Sequence, residues 1–230
     1  MNNIAIILAG GSGTRAGFDI PKQFLKIKGR YVIEYSIEAF QQNGNICEIA
    51  IVYNSQYKEL YEELLEENSW EKVRKLIPGG KERQESSLAA IKAYANENNA
   101  NLIFHDAARP LISQEIINNI IEKLQSAKAV STAMPVTDTI IEAKGEYMNR
   151  TLDRSMLRQM QTPQGFNITT ISEAYKLAAT DPNFTATDDC GVVSKYLPNI
   201  KIALVGGSSR NMKLTYKEDA DMLEFLLRHE

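Results

Sequence analysis

Short apolar runs alternate with stretches whose apolar positions recur every three or four residues, and this alternation organises the first 135 residues. Ile4–Leu8 is a continuous apolar run entering Gly10-Gly11, the pattern of a buried strand closed by a turn. Tyr31–Phe40 then reads as helix, Glu48–Val52 as strand and Gln56–Glu67 as helix. Val73–Ile77 is a strand stopped by Pro78-Gly79-Gly80, and a helix is predicted from Glu85 to Asn96. Leu102–Phe104 is a further strand, ended by the polar pair His105-Asp106. Over 115–124, Ile116, Ile117, Ile120, Ile121 and Leu124 share one helical face, and Val130–Met134 reads as strand. Strands separated by helices of ten or more residues need crossover connections, so they pair in parallel. The predicted class is α/β: a doubly wound, mainly parallel, Rossmann-like sheet.

The rhythm breaks between about residues 136 and 165. Thr139–Glu142 and Tyr147–Leu152 flank Lys144-Gly145 and read as a two-stranded ribbon around a glycine turn. Such a ribbon is not stable alone and must pack on something. The pattern resumes with a helix near Ser172–Ala179, a strand at Lys201–Val205 and a C-terminal helix. Met222, Leu223, Leu226 and Leu227 are expected on the buried face of that last helix. No low-complexity linker or internal repeat divides the chain. The expectation is a single domain over 1–230 with an inserted β-arm at about 136–165.

Composition narrows the function classes. Apolar residues at 43% and charged residues at 24% sit near globular averages, which excludes wholesale disorder. No apolar run approaches the 18 residues of a membrane span, and MNNIAIILAGG lacks the basic region of a secretory signal. The expected compartment is cytoplasmic, with no membrane partner. Cys47 and Cys190 make neither a disulfide framework nor a zinc spacing. A net charge of −3 argues against a nucleic-acid-binding surface. With two histidines, one of them His229 near the chain end, a histidine-based triad is not expected.

Several segments carry chemistry. Leu8-Ala9-Gly10-Gly11-Ser12-Gly13-Thr14-Arg15, followed by Pro21-Lys22-Gln23, is a glycine-rich turn after the first strand, where backbone amides can approach phosphate closely. Gly11-x-Gly13-x-x-Ala16 fits the dinucleotide fingerprint by letter. That fingerprint opens a helix at once, whereas Gly17, Asp19 and Pro21 keep this segment irregular, and Arg15 and Lys22 add two cations suited to a triphosphate under attack. No Gly-Lys-Ser/Thr follows, so it is not a phosphate-binding P-loop. Pro78-Gly79-Gly80-Lys81-Glu82-Arg83-Gln84-Glu85-Ser86-Ser87 also lies between strand and helix, on the same carboxyl edge. In His105-Asp106-Ala107-Ala108-Arg109-Pro110 a carboxylate ends a strand, placed to meet Mg²⁺ or a ribose hydroxyl, or to pair with Arg109. Further polar loops are Pro135-Val136-Thr137-Asp138-Thr139, Asp153-Arg154, Gln161-Thr162-Pro163-Gln164-Gly165-Phe166, Thr187-Asp188-Asp189 and Arg210-Asn211-Met212-Lys213-Leu214-Thr215. Asp188-Asp189 suits a helix cap as well as a metal.

In this order, from about residue 4 to residue 225, the motifs resemble the cytidylyltransferases of the methylerythritol phosphate pathway. The resemblance implies a nucleotide-diphospho-sugar-transferase type of sheet and transfer of a cytidylyl group from CTP to 2-C-methyl-D-erythritol 4-phosphate, with release of pyrophosphate. It places Arg15, Lys22 and Lys213 around the α-phosphate as catalytic cations. Ala9, Gly10, Gly11, Gly13, Gly80 and Ser86 would bind CTP, and Asp106 would hold ribose, metal or polyol. Arg109, Thr139 and Thr187 would line the polyol, with Arg154 and Thr162 on its phosphate. Mg²⁺ is the implied cofactor, carried mainly by the triphosphate, and a homodimer through the β-arm is the implied assembly. A sister group makes CDP-ribitol from ribitol 5-phosphate. Leu8-Ala9-Gly10-Gly11 and Thr139-Ile140-Ile141-Glu142 resemble that group, while Pro135–Thr139, His105–Pro110 and Thr187–Asp189 resemble the isoprenoid branch. Lys81 stands where the isoprenoid enzymes often carry Asp.

Overall fold

The computed structural model describes residues 1–11 and 20–229, so Gly13 and Arg15 lie outside the described residues. In chain order the elements are β1 (Asn2–Ala9), β2 (Lys26–Ile27), β3 (Arg30–Tyr31), α1 (Val32–Gln41), β4 (Glu48–Tyr53), α2 (Lys58–Glu66), β5 (Val73–Pro78), α3 (Arg83–Ala93), β6 (Ala100–Asp106), α4 (Gln114–Lys123) and β7 (Ala129–Pro135). They continue with β8 (Ile141–Lys144), β9 (Tyr147–Thr151), β10 (Arg158–Asn167), α5 (Ile168–Ala178), α6 (Asp189–Tyr196), β11 (Ile202–Gly206) and α7 (Glu218–Arg228). Seven strands form one sheet in the order β11-β7-β10-β6-β1-β4-β5. Pairings β1–β4, β1–β6, β4–β5 and β7–β11 are parallel, and β10 runs antiparallel between β6 and β7.

Alternation along β1 divides the core. Ala5, Ile7 and Ala9 face a cluster built with Ile33 and Phe40 of α1, Tyr61 of α2 and Ile117 and Ile120 of α4. Ile4 and Ile6 face the other side, with Ile91 of α3, Ile171 and Tyr175 of α5 and Val193 of α6. A strand buried on both faces has no polar side to display, which is why Ile4–Leu8 carries no polar residue. Helix starts are set locally: Ser113, Asn167 and Asp188 each accept a backbone N–H in the first turn of α4, α5 and α6, caps worth about 1 kcal/mol apiece. Among the described residues no helix is long and apolar enough to cross a membrane.

Four expectations need correction. The irregular region ends earlier than residue 165: the two-stranded ribbon is β8 with β9, and residues 158–167 form β10 inside the main sheet. Pro163, with no N–H to give, falls where the β10–β7 register shifts between Gln161 and Gln164, a position that tolerates it. Helix α6 was not predicted, since Gly191 and the β-branched Val192-Val193 are weak helix formers. Met222 is exposed, so α7 buries Leu223 and Leu227 on a narrower face. Ser55–Tyr57 forms a 3₁₀ turn ahead of α2.

Candidate active site

The chain runs outward from β1 through β4 to β5 and then returns to β6 on the other side of β1. Ligands on open α/β sheets bind outside the carboxyl ends of the strands at such a reversal. Leu8 and Asp106 are register partners there, and β5 ends at Pro78 one strand beyond β4. A cavity of about 450 Å³ opens between the loops that follow these strands. Ala9, Gly10, Gly11 and Lys22 line it from the first segment, Gly80, Arg83 and Ser86 from the second, with Asp106 and Lys213.

Each loop is tied down by its own side chains. Gln23 Nε2 donates to the carbonyls of Ala9 at 2.7 Å and Gly11 at 3.1 Å, and the Tyr61 hydroxyl donates to the Ala9 carbonyl at 2.8 Å. Gln23 and Tyr61 are both buried, so the carbonyls of Ala9 and Gly11 are held in place where β1 ends. On the second loop the Glu85 carboxylate accepts the N–H groups of Lys81 (2.6 Å) and Glu82 (3.1 Å). Gly80 packs directly on that carboxylate: an added Cβ would stand 2.2 Å from Glu85 Cβ. At Gly10 a Cβ would come within 3.1 Å of Ser86 Oγ, so the two loops approach closely because a glycine stands there.

Asp106 is the electrostatic centre. Its carboxylate lies 2.7 Å from Lys213 Nζ, 3.6 Å from Arg109 Nε and 3.7 Å from Arg83 Nε. Burial works to raise its pKa, but the three cations outweigh it and hold the carboxyl far below the usual carboxylate range. Arg83 reaches a second carboxylate, Asp189, at 2.8 Å, and the two acids, working against burial, keep its guanidinium charged. Arg109 Nη1 donates to the Asn211 carbonyl at 2.8 Å, and Asn211 Nδ2 donates to the Thr162 carbonyl at 2.8 Å. These bonds tie the loop carrying Lys213 to β6 and β10. His105 is buried behind the site, where burial pushes its pKa down to about 4 and keeps it neutral. Its Nε2 meets the Arg109 carbonyl at 3.0 Å and its Nδ1 the Thr162 hydroxyl at 3.2 Å, a pattern completed when Nε2 carries the proton.

Eight sequence-nominated residues meet at this cavity: Ala9, Gly10, Gly11, Lys22, Gly80, Ser86, Asp106 and Lys213. Arg109 stands beside Asp106 without lining it. Thr162 does not face the cavity: its buried hydroxyl accepts the Asp106 N–H at 3.0 Å and meets His105. That corrects its expected place on a polyol phosphate. Thr139 and Thr187 are exposed and do not line the cavity, and Arg154 lies on the arm, donating to the Thr137 carbonyl at 2.8 Å. Sequence reasoning gave no role to Gln23 or Arg83, and Asp189 was considered only as a helix-cap or metal candidate. Gln23 and Arg83 sit inside motifs already singled out, and their position next to Lys22 and Gly80 was the available signal.

The cations lining this edge of the sheet attract a polyanion, and the neighbouring histidine is buried and neutral. A reaction that brings its own anionic nucleophile suits such a wall, and the class defined by fold and site is the nucleotidyltransferases of the doubly wound type. The family model for 2-C-methyl-D-erythritol 4-phosphate cytidylyltransferase matches residues 3–229. The enzyme of that name from Thermobifida fusca is 40% identical over 97% of this chain and 92% of its own. A bifunctional ribulose 5-phosphate reductase/CDP-ribitol pyrophosphorylase from Haemophilus influenzae is also 40% identical, over 94% of this chain and 46% of its own length. The crystal structure of 4-diphosphocytidyl-2C-methyl-D-erythritol synthase from Anaerococcus prevotii superposes with a TM-score of 0.86 at 27% identity, covering 99% of this chain and 96% of that one. The chain belongs to the 2-C-methyl-D-erythritol 4-phosphate cytidylyltransferase family.

Proposed function

We propose that the protein joins CTP to 2-C-methyl-D-erythritol 4-phosphate, forming the CDP-polyol and pyrophosphate. The observation that carries this reading is the convergence of Gly10, Lys22, Asp106 and Lys213 on one cavity in a chain matched end to end by that family. A phosphate oxygen of the polyol attacks the α-phosphorus of CTP, and the bond to the bridging oxygen breaks as pyrophosphate leaves. The nucleophile is already an anion, so charge repulsion and in-line alignment are the obstacles and no general base is required. Lys22 and Lys213, with Arg15, stabilise the crowded α-phosphate. Ala9, Gly10, Gly80 and Ser86 enclose the cytosine, with Gly11 and Gly13 on the turn that meets the phosphates. A pocket fitted to a pyrimidine rejects purines by size, and hydrogen bonds to the amino edge of the base reject uracil.

Asp106 offers a hard carboxylate oxygen at the cavity wall, and among the described residues no group of three or more His, Cys, Asp or Glu side chains is arranged to hold a metal. This donor set fits Mg²⁺ carried mainly by triphosphate oxygens, where the ion would draw charge from the departing pyrophosphate.

Every residue of β8 and β9 is exposed, including Ile141, Tyr147 and Met148, and Met156 follows on the same excursion. The ribbon is too small to be stable by itself, and pairing with its copy in a second chain buries it in a C2 dimer. In that dimer Arg154 of one chain reaches the polyol phosphate in the other chain's site, while Arg109, Thr139 and Thr187 line the polyol. Mixing inactive Lys22→Ala chains with inactive Arg154→Ala chains then restores part of the activity, because some heterodimers keep one intact site. No recovery despite demonstrated exchange overturns the shared site. The main test is pyrophosphate release from CTP with 2-C-methyl-D-erythritol 4-phosphate and with ribitol 5-phosphate in parallel. The Haemophilus relative favours the second substrate, and faster turnover with ribitol 5-phosphate reassigns the polyol. Comparable turnover with UTP overturns the cytosine assignment.

A further inference from the structure

Asp189 is fully buried at the first turn of α6, yet it is not that helix's cap. Asp188 does the capping, its Oδ1 accepting the Gly191 N–H at 2.7 Å. Asp189 Oδ1 instead accepts the Tyr175 hydroxyl at 2.7 Å, while Oδ2 lies 2.8 Å from Arg83 Nη1. From the same guanidinium, Nε reaches Asp106 Oδ1 at 3.7 Å, and Asp106 Oδ2 holds Lys213 at 2.7 Å. The result is an alternating chain, Asp189–Arg83–Asp106–Lys213, running from the core under α6 to the cavity wall. The amino end of α6 is itself fixed: Gln164 of β10 donates to Asp188 at 2.9 Å and accepts the Cys190 N–H at 3.3 Å.

A buried carboxylate needs a partner at every stage of a reaction. Lys213 holds Asp106 at 2.7 Å, and on the reading above the same ammonium serves the α-phosphate in the transition state. As it turns to the phosphate, Asp106 loses its nearest cation. Arg83 Nε and Arg109 Nε already stand 3.7 Å and 3.6 Å from that carboxylate, each a small shift from a hydrogen bond to it. We propose that Asp189 is a positioning residue for the transfer: it pins Arg83 so that the guanidinium takes over Asp106 when Lys213 leaves it for the phosphate. The inference rests on the proposed nucleotidyl transfer and on Lys213 as its cation. Without Asp189 the Arg83 guanidinium is no longer held in position beside Asp106, Asp106 keeps Lys213, and the cost falls on the chemical step more than on nucleotide binding.

A double-mutant cycle tests this, with Asp189→Asn and Asp106→Asn made singly and together. Turnover is followed with radiolabelled CTP so that residual rates remain measurable. The expected result is that Asp189→Asn lowers kcat about 10-fold or more while KM for CTP moves less than about threefold, and that the same substitution costs less than about twofold once Asp106 is Asn. A purely structural role lowers the thermal midpoint and the rate equally in both backgrounds, and that outcome overturns the proposal, as does an unchanged kcat. Should Asp189→Asn not fold, Arg83→Lys enters the same cycle: it keeps the charge but cannot span both carboxylates, so its loss must also vanish when Asp106 is Asn. Wild-type protein inactive with CTP and either polyol phosphate overturns the functional reading itself. An active wild type with additive losses overturns only the role of Asp189.

Discussion

Two arginine–carboxylate pairs of nearly equal length stand in opposite parts of the molecule. Arg83 meets Asp189 at 2.8 Å, with 23% and 0% of the side chains exposed, and Arg150 meets Glu142 on the ribbon at 2.7 Å, with 68% and 45% exposed. Distance therefore says little about what either pair does. On the ribbon, water competes for both charges and an exposed pair is worth about 0–1 kcal/mol. Under α6 the Asp189 carboxylate has no water to return to, and removing Arg83 strands it. The buried pair sits where residues from distant segments must be held to a fraction of an ångström; the exposed one lies on a ribbon whose own strands bury nothing.

The comparison can be broken at its strongest point first. Arg83→Ala leaves Asp189 buried with only Tyr175 as a partner and should lower unfolding free energy by about 3–5 kcal/mol, read by urea denaturation. Next in size, Lys22→Ala and Lys213→Ala should each lower kcat by about 10²–10³-fold with circular dichroism unchanged, since their charges act chiefly in the transition state. A fall below about fivefold in both would remove them from the chemistry.

Burial behind the site also shapes how stability depends on pH. His105 is buried and its pKa lowered to about 4, whereas an unfolded chain protonates histidine near 6.5. Below pH 6.5 the unfolded state binds the proton that the folded state refuses, so stability falls with falling pH. The loss runs from about pH 6.5 to about pH 4 and amounts to about 3 kcal/mol. Denaturation of the ligand-free protein over that range measures it. His105→Gln should flatten the slope. The smallest effect belongs to the ribbon: Arg150→Ala should change stability by less than about 1 kcal/mol. A loss comparable with that of Arg83→Ala would mean that the ribbon pair is not exposed in solution.

β1, β4, β5, β6 and β7 were legible because their apolar runs and the helical periods between them leave little choice of element, whereas the two-residue strands β2 and β3 are too short to leave a pattern. β10 was hidden by its own composition. Gln161, Thr162 and Gln164 read as loop, yet each is buried because its polar group has an internal partner: Gln161 donates to the Ser208 carbonyl, Thr162 accepts from Asp106 and Gln164 donates to Asp188. Hydropathy records the polarity of such residues and not the bond that satisfies it. The glycine loops, Asp106 and Lys213 were legible as site residues because their local patterns announce them. The link from Arg83 to Asp189 was not, since it joins segments far apart in the chain and exists only once α6 has packed beside β10.

The Gly145 turn and β10 follow one another along the chain, but lengthening the chain has different consequences in each. At the turn, where φ is +61° and a Cβ would meet nothing within 4 Å, added residues extend the ribbon's reach and disturb no buried group. One residue added after Arg158 slides β10 by a single step and turns its side chains to the opposite face. Thr162 then leaves the Asp106 amide and Gln164 leaves α6 in the same stroke. Relatives of this chain are therefore expected to vary in ribbon length while keeping a constant count of residues from Arg158 to Asn167.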